Sequence, residues 1–213
     1  MKIIVSGLTA AGKTTLCVRL AADLGVPYTS ASQVLGALLR RSDREWTPAL
    51  DRRRTDLAVE RAVDAAMAER LRDLAAGVFD AWGLPWYSDA AATRIWLESS
   101  RVSRLRKCYV SYLQRGTPKT FAECASLMDA KDALSRSVFR ANWGFDLFRD
   151  RRPFDLLVDC SAQMPAATVE HAEAGARATY ESVVDALAER HLLDRPRRPP
   201  AHPTSRSSVE WLR

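Results

Sequence analysis

Short apolar runs alternate with longer amphipathic stretches along this chain. Ile3-Ile4-Val5 is a compact apolar run of the kind that forms a buried parallel strand. Leu16 to Leu24 then carries helical spacing, and Gly25 followed by Pro27 supplies the stop before a short second strand at Tyr28-Thr29. Ser30-Ala31-Ser32 offers an N-cap for a helix through Val34, Leu35, Leu38 and Leu39. A long helix is predicted from Ala49 to about Leu74, where Leu57, Val63, Met67 and Leu71 keep one face apolar. Gly77 to Trp82, Thr93 to Leu97 and Phe154 to Asp159 read as the third, fourth and fifth strands, and Gly83 to Tyr87 as an aromatic loop. Helices are expected from Arg101 to about Leu113, from Phe121 to about Arg140 and from Pro165 to Leu192, with a clear break at Gln114 to Thr120. Such alternation predicts an α/β fold, a parallel doubly wound sheet covered by helices on both faces. Ligands of these sheets sit beyond the C-terminal strand edge, where the loop after Val5, Asp80 and Asp159 would emerge.

Composition narrows the picture. The 213 residues, 47% of them hydrophobic, suffice for one full core, and no internal repeat is visible. Residues 1–192 are expected to form the domain, and 193–213, rich in Pro and Arg, a flexible basic tail. No run of about eighteen apolar residues occurs and the N-terminus enters a strand directly, so neither a membrane association nor an export signal is expected. The four cysteines are widely spaced, as in a reduced cytoplasmic protein. A net charge of +6 invites a nucleic-acid reading. A sizeable share of its basic residues lies in the tail, in Arg52-Arg53-Arg54 and around Arg149 to Arg152, which fits solvated faces and a basic tail better, so no nucleic-acid partner is expected.

The chemistry enters at Gly7-Leu8-Thr9-Ala10-Ala11-Gly12-Lys13-Thr14-Thr15, a Gly-x-x-x-x-Gly-Lys-Thr motif between a strand and a helix. Such a loop turns its N–H groups inward around a polyphosphate, and the following helix N-terminus adds partial positive charge. Gly7, Ala10, Ala11, Gly12, Lys13, Thr14 and Thr15 are therefore the candidate residues for binding a nucleoside triphosphate. Lys13 would reach the β- and γ-phosphates, and the Thr14 hydroxyl would ligand Mg²⁺. Asp80 and Asp159 each follow an apolar strand run, as a carboxylate that organises Mg²⁺ would.

From Met1 to about Gln163 the chain resembles the P-loop nucleoside monophosphate kinases, most of all the short archaeal-type cytidylate kinases. The resemblance rests on the N-terminal phosphate loop, Leu24-Gly25-Val26-Pro27-Tyr28 before Ser30-Ala31-Ser32, and Pro48-Ala49-Leu50-Asp51-Arg52-Arg53 before the long helix. It continues with Arg104-Leu105-Arg106-Lys107, Trp143-Gly144-Phe145-Asp146 and Phe154-Asp155-Leu156-Leu157-Val158-Asp159-Cys160-Ser161. It implies a three-layer α/β/α kinase with a five-stranded parallel sheet, acceptor-binding helices at about 31–74 and a helical lid at about 115–142. It also implies Mg-ATP-dependent phosphoryl transfer to a small-molecule acceptor, with lid cations Arg115, Lys131, Arg136 and Arg140 closing over the phosphate. Arg136 and Arg140, four apart, share a helix face and could converge on one anion. The family's placement of acceptor-side residues after the third strand makes Asp80 the preferred catalytic and metal-organising carboxylate.

The departures concern the acceptor. Where the family has Ser/Thr-Gly and then an arginine, this chain has Ser30, Ser32 and Gly36; where it ends the third strand in Glu-Gly-Arg, this chain has Asp80-Ala81-Trp82. Two phosphate-gripping arginines are thus absent, and Arg40, Arg41 and Arg52 to Arg54 are near enough in sequence to compensate. Trp82, Trp86 and Tyr87 suggest instead an acceptor held by stacking, unless they are ordinary packing. Ser30, Ser32, Arg53 and Trp82 are the acceptor-side candidates. Three functions follow: a cytidylate-type kinase of nucleotide-like acceptors, a small-molecule kinase acting on a hydroxyl of a nucleoside, sugar or antibiotic-like metabolite, and a non-catalytic nucleotide-binding protein.

Overall fold

The computed structural model describes residues 1–38, 56–193 and 207–212. β1 (Lys2–Gly7) leads through the Gly7–Gly12 loop into α1 (Lys13–Leu24), which ends at Gly25 in the left-handed conformation, as its sequence requires. β2 (Tyr28–Ser30) runs directly into α2 (Ala31–Leu38). The Ser30 hydroxyl accepts from Gln33 N–H at 3.2 Å and Gln33 Oε1 accepts from Ser30 N–H at 3.2 Å, a reciprocal cap that starts the helix. α3 (Leu57–Asp73) begins at Asp56, whose carboxylate accepts from Ala58 N–H. β3 (Gly77–Asp80) follows, then α4 (Leu84–Tyr87), β4 (Thr93–Glu98), α5 (Arg101–Gln114), α6 (Phe121–Trp143), β5 (Leu156–Asp159), α7 (Val169–Glu189) and β6 (Ser208–Trp211). α6 starts at a Thr120/Glu123 capping box.

The sheet order is β2-β3-β1-β4-β5-β6, with β1 to β5 parallel and β6 antiparallel to β5. Alternate strand residues face opposite layers. Ile3, Val5, Val78, Ile95, Leu97, Leu156 and Val158 pack against α1 and α7, while Ile4 and Phe79 pack against α2 and α3. Trp96 packs on that second side with Phe139 of α6, Phe145 and Phe154. The three-layer α/β architecture is the expected one.

Two details differ from the sequence expectation. The sheet has six strands, not five, because Ser208–Trp211 of the expected tail pairs with the edge of β5, Leu156 opposite Trp211. An open β5 edge would leave a row of unpaired backbone groups, and β6 covers it; Arg190 lies 4.5 Å from the Trp211 ring centre and holds the strand end. The aromatic loop after β3 contains the short α4. All four cysteines are free and buried.

α7 approaches the turn after β5 so closely that a Cβ on Gly175 would lie 2.3 Å from the Gln163 carbonyl oxygen. Both atoms are backbone-fixed, so Gly175→Ala is expected to cost about 2–3 kcal/mol through overpacking. That corresponds to a Tm lowered by roughly 4–12 °C for a chain of this size. Calorimetry on the purified variant checks it; an unchanged Tm would mean that α7 and the turn do not touch.

Candidate active site

The C-terminal ends of β1 and β3 open into a cleft of about 990 Å³, walled by the loop, α2, α5, α6 and α7. Register fixes its chemistry: Val5 pairs with Asp80, and Asp80 with Ser30, so the loop, the carboxylate and the start of α2 emerge side by side. Gly7 cannot carry a side chain, since its Cβ would lie 2.8 Å from the Leu97 carbonyl oxygen. Gly12 sits at φ +106°, where glycine is favoured, and caps α1. Ala10, by contrast, holds φ +61° without being glycine, a strained position that persists only where its surroundings fix it.

Lys13 folds back over this loop. Its Nζ donates to the carbonyls of Gly7 at 2.7 Å and Leu8 at 3.0 Å, and the side chain is buried. Burial lowers its pKa, and the nearby carboxylates of Asp80 and Asp132 oppose that shift. Beside it, Thr14 Oγ1 donates to Asp80 Oδ2 at 2.6 Å, and the Tyr28 hydroxyl reaches the same oxygen at 3.4 Å. Burial, then the Asp80 charge, push the Tyr28 phenol far up, so it stays protonated and can donate. A cation, a hydroxyl and a carboxylate thus meet at one point. The hydroxyl and carboxylate oxygens are hard donors suited to Mg²⁺, which keeps waters and phosphate oxygens in its shell rather than taking an all-protein cage. No group of three or more His, Cys, Asp or Glu side chains that could hold a metal ion occurs among the described residues.

Trp82 also lines the cleft, half-buried, with Lys13 Nζ 4.9 Å and Lys131 Nζ 6.0 Å from its ring centre. Trp86 and Tyr87 do not share that position. Trp86 stacks on Phe145 at 4.2 Å in the core, and Tyr87 stacks on Trp143 at 4.9 Å, whose Nε1 donates to Asp64 Oδ2 at 2.8 Å. Opposite, α2 presents Ser32, Gly36 and Ala37 to the cleft, all small. Ser30 lines it too, with its hydroxyl engaged in the α2 cap.

Among the expected lid cations, Arg115 and Lys131 line the cleft. Arg136 is bound by Asp146, with Nε at 2.9 Å and Nη2 at 2.5 Å, and Arg140 lies exposed near the end of α6. The four-residue spacing holds, yet the anion that Arg136 meets in this structure is a carboxylate of the chain itself. Asp159 accepts from Ser161 N–H at 2.8 Å and so caps the turn after β5. Arg53, like Arg40 and Arg41, lies outside the described residues.

Two further cations join the site, both from the Arg104-Leu105-Arg106-Lys107 stretch that carries part of the resemblance but to which the sequence assigns no role. Lys107 lines the cleft and donates to the Ala11 carbonyl at 3.2 Å. Arg104 donates to the Thr9 carbonyl at 3.1 Å and pairs with Asp132 at 2.5 Å. Their spacing, three apart on one helix that follows a strand, is the available signal. Asp132 offers none, as one carboxylate of a highly charged helix.

Comparison with known proteins bears on this geometry. No family model matches the chain. It is 26% identical over 162 residues to the cytidylate kinase of Pyrobaculum arsenaticum, across 75% of this chain and 83% of that relative. The cytidylate kinase of Pyrobaculum aerophilum is similar to the same extent. Among solved structures, shikimate kinase from Bacteroides thetaiotaomicron superposes with a TM-score of 0.51 at 15% identity, covering 89% of this chain and 98% of its own. Shikimate kinase from Aquifex aeolicus gives 0.50 at 13% identity, covering 90% and 99%. Those identities speak to the fold alone.

Proposed function

We propose that this chain, a P-loop kinase similar to the nucleoside monophosphate kinases and hence an ATP-dependent phosphotransferase, transfers the γ-phosphoryl group of Mg-ATP to a nucleotide-like acceptor lying against α2. The observation that carries this reading is the meeting of Lys13, Thr14 and Asp80 at one end of a single cleft. Thr14 and Asp80 would hold Mg²⁺, which when bound neutralises charge on the β- and γ-phosphates. Lys13, the first residue of α1, turns from the Gly7 and Leu8 carbonyls to the transferring phosphate. Arg115 and Lys131 add charge from the facing helices. The acceptor oxygen forms the new bond to γ-phosphorus as the bond to the β,γ-bridging oxygen breaks and ADP leaves. Arg136 would first have to leave Asp146 to take part, and Arg140 to turn inward from the α6 surface.

A second reading has its own observation. Trp82 stands where the related kinases are expected to carry an arginine, and its ring borders the Lys13 ammonium. A ring there holds a flat acceptor by stacking, worth about 0.5–1.5 kcal/mol beyond its buried area. It does not grip a phosphate. That favours a hydroxyl-bearing acceptor such as a nucleoside, with Asp80 taking the hydroxyl proton.

ADP release with CMP, dCMP, UMP, AMP and the matching nucleosides separates the two readings. Turnover confined to monophosphates carries the first and sinks the second; turnover confined to nucleosides reverses them. Under both, Trp82→Ala is expected to raise the acceptor KM about tenfold while the ATP KM stays within about twofold. An acceptor KM unmoved by the substitution would remove Trp82 from the acceptor site.

A further inference from the structure

We infer that the buried Arg104–Asp132 ion pair is a positioning element of the phosphate loop, a clamp by which α5 and α6 hold the loop in its binding shape. The inference rests on the reading that this loop takes the phosphates of ATP. Both backbone polar groups of Thr9 are held by the pair. Thr9 N–H donates to Asp132 Oδ1 at 2.9 Å, and the Thr9 carbonyl accepts from Arg104 Nη1 at 3.1 Å. The same Nη1 lies 2.5 Å from Asp132 Oδ2, and the two side chains are only 8% and 5% exposed.

Stability alone does not account for such a pair. Two charges taken out of water lose solvation that their attraction scarcely recovers, and apolar residues of similar volume pack as well or better. What an apolar pair cannot supply is one acceptor and one donor aimed at a single residue's backbone. The next residue needs that support. Ala10 holds its left-handed φ of +61°, a conformation an L-residue keeps only when both flanks are fixed. The clamp fixes the Thr9 flank, and Lys107 bonded to the Ala11 carbonyl fixes the other.

The pair is also electrically neutral. It can hold a carboxylate against a loop N–H without adding net negative charge beside the polyphosphate. One residue earlier on α6, Lys131 reaches toward Trp82 across the cleft. One turn of α6 therefore both shapes the donor loop and presents a cation toward the acceptor side. At the level of Asp132 this helix is not a free lid, because swinging it away would release Thr9. Nucleotide affinity and the docking of α6 are accordingly linked.

Calorimetric titration of ATP in Mg²⁺ and a melting curve on the full chain test this. The double variant Arg104→Met/Asp132→Leu removes the clamp and keeps the volume apolar. It should hold or raise the Tm and yet bind ATP about tenfold more weakly, the effect of losing one charge-assisted hydrogen bond. Should that variant not fold, Arg104→Lys decides. It keeps a positive charge on α5, but its side chain ends one bond short of Nη1, the single nitrogen that serves Asp132 and the Thr9 carbonyl together, and should weaken ATP in the same way with little change in Tm. ATP affinity equal to wild type in either folded variant overturns the inference and leaves the kinase reading standing. A wild-type chain that binds no ATP overturns both.

Discussion

Replacing Lys13 by alanine is expected to lower turnover by about three orders of magnitude while leaving the fold intact. The ammonium is buried at the mouth of the loop, bonded to Gly7 and Leu8 carbonyls and bordered by the Trp82 ring. Burial makes its positive form costly, and the carboxylates of Asp80 and Asp132 are the groups that offset this. Turned from those carbonyls onto the transferring phosphoryl group, that charge would offset the negative charge developing there. Removing it forfeits about 4 kcal/mol of transition-state stabilisation. ADP release from purified protein, with circular dichroism as the check on folding, measures the effect. Activity within about tenfold of wild type would take the loop lysine out of the chemistry.

Asp80→Asn is the second large effect, an expected loss of about a hundredfold in kcat with a raised Mg²⁺ requirement. The amide oxygen can still accept from the Thr14 hydroxyl, so the 2.6 Å contact and the strand register survive. What disappears is the negative charge that would draw the metal or a proton. Titrating Mg²⁺ against rate distinguishes this from a folding defect. A variant with wild-type rate and wild-type Mg²⁺ dependence would exclude Asp80 both as metal organiser and as base.

Much of the fold is legible in the residues themselves. Ile3-Ile4-Val5, Val78-Phe79 and Leu156-Leu157-Val158 belong to strands covered on both faces, so their apolar runs mark the sheet directly. The loop can be read because its glycines answer to backbone needs: no room at Gly7, positive φ at Gly12. β6 is not legible, because Ser208–Trp211 lies largely exposed on the sheet edge and so carries no apolar run to mark it. Gly83 and Pro85 suggest a turn at the point where α4 begins, since a helix of one turn has no period of its own.

The acceptor side is harder for a physical reason. Whether an aromatic ring is core or platform depends on what tertiary structure places against it. Trp86 meets Phe145, Tyr87 meets Trp143, and Trp82 meets the cleft. The same holds for charge. Arg136 has the spacing of a catalytic lid residue, but Asp146, ten positions on, takes its guanidinium. In the sequence Asp132 is one more solvated carboxylate; the fold carries it to a loop amide 123 positions away.

On the proposed reading, the cleft around Lys13, Thr14 and Asp80 binds ATP with its metal for phosphoryl transfer. Calorimetric titration of the full chain with ATP, in Mg²⁺ and again with the metal chelated, tests it most directly. One ATP per chain, bound more tightly with Mg²⁺ and lost in the Lys13→Ala variant, is the predicted result. No binding, or binding that neither Mg²⁺ nor Lys13→Ala alters, would contradict it.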